Sequence, residues 1–160
     1  MRTMLLAMVL TGMLIPGCVP PAERRDVTEG EARRAAKADN PYSVESMTAA
    51  MMHIESLLGT ERIRPVRARY EEAFHADPKH PFKRFLWAYS LDDRNQAWGE
   101  LTKITKLNDR FYWAYLGMAV ILDGWKIYDQ ATSNFQRALE LGPRIAIGHG
   151  RFGRMYLHKQ

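Results

Sequence analysis

The sequence predicts an all-α fold, a short α-solenoid of about three helical hairpins plus a C-terminal helix. Three observations predict it. From Ser43 onward, apolar residues recur at steps of three and four, the spacing that lines one face of a helix. Glycine and proline break those stretches at short intervals, and no bounded run alternates with period two. A pattern of small, aromatic, small and then proline in the sixth helix recurs in the second and, in part, in the fourth.

The elements follow in order. Ser43 is the expected cap of the first helix, with Ser46 a second candidate. Val44, Met47, Met51, Ile54 and Leu58 form its apolar stripe, and Gly59 stops it. Pro65 suits the first turn of a second helix, where a missing N–H costs nothing. That helix runs to Ala76 and is ended by Asp77 and Pro78. A third helix is expected over 82–91, a fourth over 95–107 and a fifth over 110–122, the last ending near Asp123 and Gly124. The sixth covers 128–141, closed by Gly142 and Pro143, and the seventh covers 145–157. Connections this short imply antiparallel neighbours.

The sixth helix carries Ala131, Phe135, Ala138 and Leu141 before Pro143. The second repeats the series with Val66, Tyr70, Ala73 and Pro78, and the fourth with Ala97, Leu101 and Ile104, where Asp109 stands in the proline's place. The helices between them carry a large–small–large series: Trp113, Leu116, Gly117 and Val120 in the fifth, Phe152, Gly153 and Tyr156 in the seventh, Trp87, Ala88 and Leu91 in the third. Pro78 and Pro143 stand close to two units of about 34 residues apart. Together these residues resemble the tetratricopeptide repeat, over three hairpins and one further helix. The turn between the third and fourth helices is about three residues shorter than the family's, and that between the fifth and sixth about two longer. The resemblance implies that small residues let paired helices approach closely, while Phe135 and Tyr70 wedge between successive hairpins. Such units cannot bury their faces alone, so they must stack.

The resemblance also implies a concave groove lined by the first helix of each hairpin. Aligned on Gly117, Ala88 and Gly153, the lining is Phe82, Phe85, Tyr89, Phe111, Ala114, Met118, Ile121, Ile147 and Arg154. The Lys and Asn that clamp a peptide carboxylate in some family members are absent from these positions, so the expected partner is an apolar or amphipathic segment. The same residues also read as core, covered by the first helix or by a second copy in a homo-oligomer; the stretch 111–122 has hardly a polar atom, as in a fully buried helix.

Ahead of the helical part, residues 1–17 read as a secretory signal: Arg2, then an apolar stretch from Met4 to Ile15. At about twelve residues that stretch is too short for a bilayer core, which takes about 20. Ile15, Pro16, Gly17 and Cys18 resemble the bacterial lipobox, with Pro16 an uncommon residue at its position. The resemblance implies diacylglyceryl attachment to the Cys18 thiolate and cleavage just before it. Acyl chains contribute roughly 0.8 kcal/mol per buried CH₂, enough for two or three to anchor firmly. Val19 is not the Asp that retains enterobacterial lipoproteins at the inner membrane, so the resemblance favours the outer membrane, periplasmic side. Residues 18–42 then form an expected flexible linker, with Pro20, Pro21, a dense mix of charges and little to bury. The helical domain is expected over 43–160.

Composition narrows the functions. The chain has 160 residues, 46% hydrophobic and 26% charged, and a formal charge of +5, so one domain with a real core is expected. Removing residues 1–17 takes away one base and no acid, and the remaining Lys and Arg are interleaved with acids, unlike a nucleic-acid interface. The single Cys excludes an internal disulfide and a Cys-rich zinc site. His53, His75, His80, His149 and His158 show no metal-ligand spacing. Gly148, Gly150 and Gly153 follow no strand, so they make no dinucleotide loop; Asp92 with Asp93 and Glu71 with Glu72 read as solvated faces. No catalytic residue, cofactor or metal is expected. The expectation is a lipid-anchored envelope scaffold that binds a protein or peptide segment. The alternatives are a homo-oligomeric structural subunit or a fragment of a longer array, in which the seventh helix caps the row.

Overall fold

The computed structural model describes residues 40–159, and every regular element among them is helical. In chain order they are α1 (Val44–Leu57), α2 (Ile63–Ala76), α3 (Pro81–Ser90), α4 (Arg94–Leu107), α5 (Tyr112–Gly124), α6 (Tyr128–Leu141) and α7 (Ala146–His158). The signal segment, Cys18 and most of the linker lie outside the described residues. The end of the expected linker is structured: the Ser43 N–H donates to Asn40 O at 3.1 Å, and Tyr42 packs on His80 and Phe82 with ring centroids 4.5 and 5.0 Å apart.

Local chemistry explains the boundaries. The Ser43 hydroxyl accepts the Ser46 N–H at 3.1 Å and caps α1. Gly59 ends the following turn at φ 76°, a conformation that a side chain resists. Pro81 occupies the first turn of α3, one residue before the expected start. Asp93 is no mere solvated acid: its carboxylate accepts the N–H groups of Asn95 and Gln96 and caps α4. The fifth helix begins two residues later than expected. Asn108 takes the Arg110 and Phe111 N–H groups at 3.1 and 3.2 Å in a turn, and so postpones the start. Its end moves by the same amount, to Gly124, beyond which Lys126 takes φ 63° to reverse the chain.

Neighbours in sequence are neighbours in space, so the chain is a series of helical hairpins. The odd-numbered helices also touch in succession, α1 on α3, α3 on α5 and α5 on α7. They make one layer, and the even-numbered helices lie against it. Trp113, Tyr89, Phe85 and Phe135 are the largest wholly buried side chains, and α1 adds Met47, Met51 and Ile54 to the same core. Each such side chain stabilises the fold by about 1.5–3 kcal/mol relative to exposure.

The packing positions divide. Ala88, Ala97, Leu101, Trp113, Leu116, Ala131, Phe135 and Ala138 are fully buried. A methyl group on Gly117 would lie 3.0 Å from Leu101 Cδ1 and 3.2 Å from Phe85 Cε2, so α5 approaches α3 and α4 as closely as a glycine permits. Trp87 is half-buried, stacked on Phe74 at 4.5 Å across the α2–α3 contact. Val66, Tyr70 and Ala73 are also only half-buried. Gly153 departs from expectation: it is exposed, with open space where a side chain would stand. The buried stripe of α7 runs instead through Gly148 and Met155, and Gly148 makes the close approach, to Leu139 Cδ2 at 3.1 Å. Phe152 is half-buried and Tyr156 is exposed, their rings 5.0 Å apart.

Candidate functional site

The expected groove lining is where the structure corrects the sequence most. Phe85, Tyr89, Phe111, Ala114, Met118 and Ile121 are all buried. The topology does bring them together: Phe85 lies 5.5 Å from Tyr89 and 6.0 Å from Phe111, and Phe82 meets Phe111 edge-on at 5.0 Å. They form a core and not an open wall. The reason is α1, whose apolar stripe supplies the missing side of that core; it packs on α3 and reaches α7. Phe82 stays half-buried at the edge, Ile147 is half-buried, and Arg154 is exposed.

What remains accessible is the seam between α1 and α7. Met52 of α1, Ile147, Gly150, Arg151 and Arg154 of α7 line a shallow cavity of about 220 Å³. Met52 is 58% exposed although it neighbours the wholly buried Met51. Beneath the seam, the Glu55 carboxylate accepts hydrogen bonds from the Tyr89 hydroxyl and from the Arg151 guanidinium, joining α1, α3 and α7. Burial above all, then the neighbouring Glu55 charge, pushes the Tyr89 phenol well above its ordinary pKa, so it stays a neutral donor. Arg151 Nε and the nearby Arg94 Nη2 are enclosed without an acceptor. Within the seam Arg151 is paired with Glu55, and Arg154 is a second guanidinium among the lining residues.

Tyr89 stands among the expected lining residues, whereas Glu55 and Arg151 were not expected from the sequence, though a signal existed. Glu55 stands four residues after Met51, on the apolar stripe, and Arg151 stands three after Gly148, on the buried face of α7. A charge on an apolar stripe calls for a partner, and here each is the other's, 96 positions apart.

A second apolar exposure is the α5–α6 turn, where Trp125 and Ile127 are 37% and 40% exposed and Trp98 stands 5.9 Å from Trp125. A partly buried ion-pair group ties α3 to α4: Arg84 donates to Glu100 at 2.8 Å, and the more exposed Lys103 donates to the same carboxylate at 2.6 Å. Burial raises the Glu100 pKa, but the hydrogen bonds from Lys103 and Arg84 outweigh it and hold the carboxyl below its usual range.

Among the described residues, no three His, Cys, Asp or Glu are gathered so as to hold a metal ion, and no helix is long and apolar enough to cross a membrane. No protein-family model and no curated protein matches the chain.

Proposed function

We propose that the chain is a lipid-anchored protein of the bacterial cell envelope whose helices form a tetratricopeptide-type stack and bind another protein, without catalysis of their own. The observation that carries the reading is the layered packing. Odd helices follow one another in a row, Gly117 admits Leu101 and Phe85, and Ala131, Phe135 and Ala138 are buried whole. The lipobox-like run ending at Cys18 supports the anchor, outer-membrane by the residue that follows it. Stacks of this kind bind through surfaces, and the α1–α7 seam offers an apolar and basic one. It suits an amphipathic segment with acidic residues beside its apolar face.

Two experiments test the two halves. The double variant Met52→Glu, Arg154→Glu changes only side chains at the seam, and should abolish capture of a specific partner from envelope extract while far-UV circular dichroism stays the same. Capture at the wild-type level rejects the seam as the docking surface. Cys18→Ser should move the protein from the membrane fraction to the soluble one. If it still floats with membranes, the anchor reading fails.

A further inference from the structure

A cavity lies between α1 and α2. α1 packs more closely on α3 than on α2. The residues that face the resulting gap are small, Ala50 on α1 and Ala73 on α2. Leu86 of α3, Pro41 and Tyr42 also line it, the Tyr42 ring being held by its stack on Phe82. The result is a cavity of about 260 Å³ with a largely apolar wall.

Its polar groups are of one kind. Arg69, Tyr70 and Lys83 are the other lining residues, and no carboxylate lines it. Arg69 has no acceptor among the described residues, and Lys83 Nζ stands 3.5 Å from Asp77 Oδ2, the limit of a hydrogen bond. Burial raises the Tyr70 phenol above its ordinary pKa against the pull of Arg69, which keeps it protonated and able to donate. Guanidinium and ammonium groups offer donors and no acceptor. An amine would meet two like charges. A multiply charged anion would leave water for an apolar wall at a cost that two cations at a mouth do not offset. A single carboxylate on an apolar body matches both the walls and the donors. The volume falls just under the roughly 300 Å³ at which pockets for drug-sized molecules begin.

We propose that the wedge between α1 and α2 is a binding site for a small apolar monocarboxylate, seated with its carboxylate toward Arg69, Lys83 and Tyr70. This site is separate from the α1–α7 seam and does not rest on the scaffold reading.

The test is calorimetric titration of the full chain with 4-phenylbutyrate and with 4-phenylbutanamide, its uncharged match. The acid should bind with one-to-one stoichiometry and the amide about tenfold more weakly or worse, the worth of one charge-assisted hydrogen bond. Arg69→Ala and Lys83→Ala should each weaken the acid by about the same factor without changing the melting temperature by more than a degree or two. Ala73→Leu, which fills the wedge, should abolish binding of both; the two cation variants decide the matter if that chain folds poorly. No heat with the acid, equal affinity for acid and amide, or affinity undisturbed in Arg69→Ala and Lys83→Ala overturns the proposal.

Discussion

The α5–α6 hairpin and the α1–α2 pair occupy equivalent places in the sequence pattern, yet they pack in opposite ways. In α6 the series Ala131, Phe135, Ala138 is buried to the last atom. In α2 the matching Val66, Tyr70 and Ala73 stay half-exposed, and Tyr70 and Ala73 line a cavity. Two physical differences account for this. α6 lies between α5 and α7, whereas α2 packs closely on α3 and only lightly on α1. Tyr70 also carries a hydroxyl that burial would leave without a partner, a cost Phe135 does not face. A repeat motif thus sets which side chain points at the neighbour, while the neighbour's position sets how much that side chain stabilises.

The largest expected effect separates the two regions directly. Phe135→Ala should lose about 3–5 kcal/mol, the usual cost of emptying a wholly buried aromatic site. Tyr70→Ala should lose less than half as much, because its side chain is already partly in water. Urea denaturation of both variants checks this; equal losses would erase the distinction between the hairpins.

Next comes the pair of glycines that the sequence treats as equivalent. Gly117→Ala must push back Leu101 and Phe85 and should cost about 1–3 kcal/mol. Gly153→Ala meets nothing and should stabilise α7 by up to about 1 kcal/mol through helix propensity. Opposite shifts in melting temperature are the expected result, and a destabilised Gly153→Ala chain would restore the equivalence.

The smallest effect is electrostatic. The folded-state pKa of Glu100 is held below its ordinary value, so its contribution is fully present above that ordinary carboxylate range and disappears as the pH falls through the folded value. Stability measured from neutral pH downward should therefore decline on acidification, and Glu100→Gln should decline less steeply. A slope unchanged by that substitution would remove Glu100 from the account.

The helical limits of this fold are largely legible in the sequence. The sixth helix, 128–141, has the limits that its Gly–Pro stop dictates, and Ser43 caps α1 as its position implies. Periodicity shows which face of a helix is apolar, but not which element covers it. Phe85, Phe111 and Met118 therefore had two readings, and only the placement of α1 on α3 decides for the core. The alignment of Gly153 with Gly117 failed for a related reason. A motif position predicts close packing only where another helix arrives at that position, and α6 meets α7 at Gly148. The wedge beside Tyr70 was invisible in the sequence because it is a space lined by Ala50 and Ala73 where two helices touch only lightly.

The Glu55–Arg151 pair has a consequence for how the molecule comes apart. Linear rows of hairpins lose order from their ends, each terminal unit being held by a single neighbour. Here the last helix grips the first, with Tyr89 of the middle of the row on the same carboxylate. Fraying of α7 would leave the Glu55 carboxylate with the Tyr89 hydroxyl alone, so loosening of α7 is coupled to the hold of α1 on α3.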